Sequence, residues 1–409
     1  MALTYDDVRE AVHGGLLDGL PPGPPWSVLL EIGELRVVVR ADGGDLTIAD
    51  GGEWDFGFAI SAAEWAEFCA VPPPRGCTSA QALVATRGDA RVTGRREVWA
   101  RAAGALDRII DAIRVRVGDP QPARPDPPQA PEGLSPIEGR YLHVDVQGER
   151  RRIYFEQAGG GLPLVCLHTA GADSRQFRHL LEDPRITDHH RVIAFDMPWH
   201  GRSDPPDDWR SRRYALDTET YAATVLAVID ALGLARPVLL GCSMGGSIAL
   251  YLASRHGERF SGVCALEGGL GNPGRFVEWT NRADVDHSAF LVSWVGGLIA
   301  PTSPAATRAA TLWGYAQSGP GVYQGDTYFY SVDLPRHTED LAPAGCPLIV
   351  FSGEYDYSAT TEASRSAARQ LGGRLVEMQG RGHFPMSEDP EGLAEHLLPV
   401  LAELREKAS

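Results

Sequence analysis

The sequence predicts an α/β protein, a mostly parallel sheet flanked by helices and carrying a helical cap, preceded by a small α+β domain. Three observations predict it. From residue 162 onward, short apolar stretches rich in β-branched residues alternate with longer helix-like ones, the order of a parallel sheet covered on both faces. Between Asp119 and Pro136 the chain carries Pro120, Pro122, Pro125, Pro127, Pro128, Pro131 and Pro136, a stiff spacer with almost nothing apolar to bury. Residues 269–344 then interrupt the alternation with an excursion too long for a connecting loop. The expected organisation is a domain at 1–118, a linker at 119–137 and a larger domain at 138–409 that includes the cap.

Composition excludes several classes of function. With 409 residues, 43% of them hydrophobic, the chain can build two cores. A net charge of −16 with no Lys or Arg stripe argues against a nucleic-acid or anionic-membrane partner. The opening "MALTYDDVREAV" lacks a charged-then-apolar signal pattern, so a cytoplasmic location is expected. The longest apolar run, from Ala289, is short and broken by Gly296 and Gly297, so no membrane insertion is expected. The six cysteines form no CxxC and no zinc-spaced cluster; several lie in strand-like runs and read as core thiols. No metal or organic cofactor is implied.

In the first domain "ELRVVVRADGGDLTIADGG" reads as two strands joined at Asp42-Gly43-Gly44-Asp45, because glycine tolerates the positive φ of a tight hairpin. A third strand, "WDFGFAI", would place Trp54, Phe56, Phe58 and Ile60 on one face. Ser61 and Glu64 have capping-box spacing ahead of a short helix. Leu106, Ile109, Ile110 and Ile113 then mark the apolar face of a closing helix. Nothing catalytic stands out in this domain.

In the second domain the strand candidates are residues 162–168, 191–196, 237–242, 262–267 and 347–353, with helices running into Gly233 and Gly257. "GCSMGG" lies between the strand "PVLLGC" and a helix, so Ser243 sits at a sharp turn at the carboxyl end of a buried strand. A serine hydroxyl needs an adjacent base, itself oriented by an acid. Asp356 follows the strand "PLIVFSG", and His383 follows in "GRGHFPMSEDP", giving the order Ser, Asp, His. Glu267, ending "GVCALE", is the alternative acid. Asp196 and Asp204 read as residues that hold a turn, and His168 as a loop-packing residue.

The stretches "LHTAG", "FDMPWHGRSD", "GCSMGG", "FSGEYD" and "GHFPMSEDP" together resemble the α/β-hydrolase superfamily, over about residues 138–409. The resemblance implies an oxyanion hole from the Ala170 and Met244 amides. Many members read His-Gly where this chain reads His168-Thr169. In the first domain, "LRVVVRADGGDLTIADGG" and the stretch ending "ALDRIIDAI" resemble the sterol-carrier-protein-like family, whose domains hold lipids. The alternatives there are delivery of an apolar substrate, or an accessory role in packing or homo-oligomer formation.

The reading is a capped serine hydrolase that cleaves a carboxylic ester of a small hydrophobic or aromatic substrate through Ser243, His383 and Asp356. Thr169, His200, Trp279, Trp294 and Trp313 are the candidate pocket residues. Two rivals remain. One is a carbon-carbon bond hydrolase acting on a diketone ring-cleavage product with the same triad. The other is a hydrolase-fold receptor with little turnover.

Overall fold

Alternation and turn chemistry set the first set of elements. In the computed structural model, which describes residues 3–14, 23–121, 123–128, 132–276, 282 and 284–408, five strands form the first sheet. They are β1 (Trp26–Ile32), β2 (Leu35–Asp42), β3 (Asp45–Ala49), β4 (Phe56–Ile60) and β5 (Arg91–Gly94), in the order β3-β2-β1-β4-β5. The β2–β3 hairpin turns at Gly43 and Gly44, both at positive φ. All five residues of β4 are buried, so its pattern is not an alternating one, and Trp54 lies outside the strand and 38% exposed. Ser61 and Glu64 close the expected capping box on the helix Ala62–Phe68. The helix Arg96–Val117 buries Leu106, Ile109, Ile110 and Ile113, as its spacing requires.

The second sheet has eight strands. They are β6 (Glu138–Val146), β7 (Glu149–Ala158), β8 (Leu162–Leu167), β9 (His190–Phe195), β10 (Val238–Cys242), β11 (Gly262–Leu266), β12 (Leu348–Gly353) and β13 (Arg374–Met378). Their order is β13-β12-β11-β10-β8-β9-β7-β6, parallel from β13 to β9 and antiparallel from β9 to β6. The interior strands β10 and β11 are buried at every position, which is why they read as continuous apolar runs. Strand order reverses where β8 lies between β9 and β10, and the crevice at such a switch point is where open α/β sheets bind ligands. Among the described residues no helix is long and apolar enough to cross a membrane.

The chain divides into two units, and one segment departs from the organisation read above. The first unit comprises Met1–Arg124 together with Arg282–Thr302; the second comprises Pro125–Asn281 and Ser303–Ser409. The break near residue 124 falls inside the proline-rich stretch. The segment 282–302, counted by sequence within the cap, belongs instead to the first unit. Its helix His287–Gly296 packs on Arg96–Val117, closely enough that a Cβ at Gly104 would meet the Ala289 carbonyl oxygen at 3.3 Å. A buried helix that is apolar on most faces gives no sequence signal for which core it joins.

Candidate active site

Strand β10 ends at Cys242 and the helix Met244–Arg255 starts two residues later, leaving Ser243 alone to turn the chain. It does so at φ 54° and ψ −113°, a strained conformation for a residue with a Cβ. The flanking glycines are required sterically. A Cβ on Gly241 would run into the Gly245 carbonyl, and one on Gly245 into the Leu167 carbonyl of β8. The turn is held by Ser243 N donating to Leu266 O at 2.9 Å and Ser247 N to Ser243 O at 2.8 Å.

Ser243 and His383 line one cavity of about 220 Å³, together with Met244, Glu267, Asn272, Tyr330 and Tyr357. His383 Nδ1 donates to Asp356 Oδ2 at 2.6 Å, and both side chains are almost fully buried. The other Asp356 oxygen accepts the Ser358 amide at 2.6 Å and the Ala359 amide at 3.2 Å. These donors fix the direction of the carboxyl group.

The alternative acid has a different state. Glu267 is fully buried at φ 48°, and its two oxygens share the Gly353 amide at 2.8 and 2.9 Å. Burial, and then the negative charge of Asp356, push its carboxyl well above the usual carboxylate range, and the Gly353 amide offsets only part of this. The neighbouring Asp356 carboxyl thus favours the protonated form of Glu267.

The register of β8 with β10 sets Leu167 opposite Gly241, which brings the loop after β8 beside the serine turn. In that loop the Thr169 amide donates to Gln176 Oε1 at 3.0 Å and the Gly171 amide to Asp326 Oδ2 at 2.7 Å. The Ala170 amide between them makes no hydrogen bond among the described residues. Met244, first in its helix, has an amide with no intrahelical acceptor. These two amides are the donors named from the sequence. The threonine that replaces the commoner glycine is also explained: its hydroxyl donates to Gln176 Oε1 and meets the Tyr315 hydroxyl.

The proposed pocket residues fare differently. Thr169 and His200 are 1% and 2% exposed and support the loop rather than face the cavity. Trp294 lies in the first unit, on the helix His287–Gly296, against Phe290. Trp313 is 63% exposed on the helix Ala305–Ala316. Trp279 lies outside the described residues. The side chains that sequence reading missed are Asn272, Tyr330 and Tyr357 in the cavity, and Gln176 and Asp326 under the loop. Asp326 carried a signal, as the one acid in the otherwise neutral "GVYQGDTYFYSV".

The rings of His168 and His200 lie 4.8 Å apart, tilted by 46°. His168 Nε2 accepts the Met197 amide at 3.1 Å, which fixes the neutral tautomer with Nδ1–H donating to Thr169 O. Burial first, and then the neighbouring His200 charge, lower its pKa to about 4. For His200 burial also favours the neutral form, but Asp326 at 2.8 Å outweighs it and raises the pKa.

Comparison with known proteins agrees with this architecture. A hydrolase of Burkholderia vietnamiensis acting on 2-hydroxy-6-oxononadienedioate and 2-hydroxy-6-oxononatrienedioate is 32% identical over 141 residues, 34% of this chain and 47% of that one. The chain thus spans about half the length of the curated relatives it matches first. A soluble epoxide hydrolase from a Corynebacterium species is 25% identical over 285 residues, 62% of this chain and 95% of its own. Among solved structures, an esterase of Thermogutta terrifontis has a TM-score of 0.54 at 20% identity, covering 65% of this chain and 99% of that one. An enol-lactonase of Burkholderia xenovorans has a TM-score of 0.54 at 21% identity, covering 64% and 100%. Residues 164–396, more than half of the 409, match the Alpha/beta hydrolase family, and the stretch matched runs from β8 through the serine turn to the last helix; the chain belongs to that family.

Proposed function

We propose that the second unit is a serine hydrolase that cleaves a carboxylic ester by acyl transfer. The observation that carries this reading is the cavity lined by both Ser243 and His383, with His383 held by Asp356 at 2.6 Å. Ser243 Oγ attacks the ester carbonyl carbon while His383 takes its proton through Nε2. Asp356 fixes the imidazole tautomer and stabilises the cation that forms. The Ala170 and Met244 amides receive the oxyanion, a contribution of about 3 kcal/mol per donor. The carbon–oxygen bond to the alcohol then breaks as His383 returns the proton to the leaving oxygen. Water, deprotonated by the same histidine, releases the acid. Epoxide hydrolysis on this fold uses an aspartate nucleophile, and the side chain at this turn is Ser243.

The cavity lining favours a second reading. Asn272, Tyr330 and Tyr357 make it more polar than the apolar pocket expected from the cap aromatics, which suits an oxygen-rich substrate. The local similarity to a hydrolase of 2-hydroxy-6-oxononadienedioate points the same way. Carbon-carbon cleavage of a diketone would use the same three residues. Assay of a chromogenic short ester beside a vinylogous diketone separates the readings by which is turned over. Ser243→Ala is expected to abolish turnover of either by several orders of magnitude while the protein stays folded. A phosphonate probe is expected to label Ser243; labelling elsewhere, or an active alanine variant, overturns the triad.

A further inference from the structure

The loop that carries Ala170 is not held by its own strand alone. Two groups from the segment that follows residue 303 reach into it. Tyr315, 2% exposed, places its hydroxyl against Thr169 Oγ1 and accepts from Gln176 Nε2 at 3.4 Å. Gln176 in turn holds the Thr169 amide, and the Tyr315 ring packs at 5.3 Å on Phe384, the residue after His383. Asp326, fully buried on the helix Val322–Tyr328, accepts the Gly171 amide at 2.7 Å and His200 Nε2 at 2.8 Å on one oxygen, and the Tyr214 hydroxyl at 2.8 Å on the other. Gly171 stands at φ 70°, and a Cβ there would meet the Tyr323 ring at 2.9 Å, so the same helix also covers the loop from above.

We infer that Tyr315 and Asp326 are positioning residues for the oxyanion loop, tying down the amides on either side of Ala170 so that the Ala170 N–H alone is left to face the reacting oxygen. The inference rests on the reading of Ala170 as an oxyanion donor. Its physical basis is that a loop amide misdirected by a fraction of an ångström no longer meets a developing charge. A buried carboxylate with three donors is satisfied, and removing its charge leaves those donors short of an acceptor. The segment that brings these groups is therefore part of the catalytic scaffold rather than a loose cover.

The test uses the full chain and two variants that conserve shape, Tyr315→Phe and Asp326→Asn. Hydrogen exchange is followed on the peptide spanning residues 168–173, and kinetics are normalised per site by phosphonate titration so that misfolded molecules do not count. The expected result is exchange at least about tenfold faster in that peptide. A kcat reduced about tenfold to a hundredfold with KM within about twofold is expected with it. Affinity for a trifluoromethyl ketone, which forms an oxyanion on Ser243, should fall in parallel with kcat. Unchanged exchange, unchanged kcat per titrated site, or a loss confined to KM overturns the inference. If the phosphonate does not label wild-type Ser243, the serine hydrolase reading falls instead, and the exchange measurement alone decides whether the two residues hold the loop.

Discussion

Asp356 and Glu267 follow the neighbouring strands β12 and β11, lie equally deep, and differ in what they touch. Only Asp356 meets His383, while Glu267 meets the Gly353 amide and the Asp356 carboxyl. Asp356→Asn is therefore expected to cost about a thousandfold or more in kcat, because the imidazole loses the partner that sets its tautomer. Glu267→Gln, which keeps a donor and an acceptor in the same places, should stay within several-fold; a greater loss from the glutamine variant would make Glu267 the working acid. His168 permits a second test at this scale. Its pKa of about 4 in the folded state lies below the usual imidazole value, so the unfolded chain binds its proton first. Its contribution to stability is full above about pH 6.5 and is lost as pH falls towards 4, at up to about 1.4 kcal/mol per pH unit. In His168→Gln, urea denaturation midpoints should fall less steeply between pH 6.5 and 4.5 than in the wild type; equal slopes would refute this. The order Ser243, Asp356, His383 could be read from the sequence because Ser243 and Asp356 follow recognisable strands and His383 lies in the Gly-flanked stretch "GRGHFPMSEDP", although the strand before it, β13, went unpredicted. The ties of Thr169 to Tyr315 and of Gly171 to Asp326 were not, since they join residues far apart in the chain with no periodicity to announce them.

Among the secondary elements, Arg96–Val117 and His287–Gly296 meet at a part-buried polar contact. Asp107 receives the Ser293 hydroxyl and the Gln81 amide, and burial pushes its carboxyl up to about 7 although these hydrogen bonds pull it down. An unfolded aspartate is already ionised near pH 4, so stability falls as pH rises from about 4 to 7. Asp107→Asn removes that dependence but gives up one acceptor. It is expected to stabilise the protein by about 1–2 kcal/mol at pH 8 and to be neutral or destabilising at pH 5, measured by urea denaturation. Equal effects at both pH values would show that Asp107 does not titrate there. Continuous apolar runs bounded by turn residues were legible: β10, β11 and β12 lie within a residue or two of their predicted bounds, as does the helix ending near Arg255. The partner of His287–Gly296 was not, because an apolar helix states that it is buried and not where.

For the whole molecule, the composition of the first unit changes what truncation tests. A chain beginning at Pro136 keeps residues 282–302 but loses the core they join. Phe290, Leu291, Val295, Leu298 and Ile299, each 2% exposed or less, would lose their packing, worth on the order of 10 kcal/mol of apolar burial as an upper bound. Such a chain is expected to aggregate or to lose turnover on a small soluble ester, read by light scattering and active-site titration. A monomer with wild-type kcat would show that 282–302 can repack alone.

The same interleaving sets a timetable for synthesis. As the chain leaves the ribosome, the sheet β1–β5 and the helix over it emerge early, but the segment that completes their core is encoded only after β6–β11 have been made. The first unit must wait, incompletely packed, through the translation of most of the strands of the second sheet. Its closing step joins residues far apart in sequence, the kind of contact that forms slowly and leaves apolar surface open in the meantime. Birth order and folding order are thus reversed for the N-terminal unit: first begun, it cannot be finished before residue 302 is free.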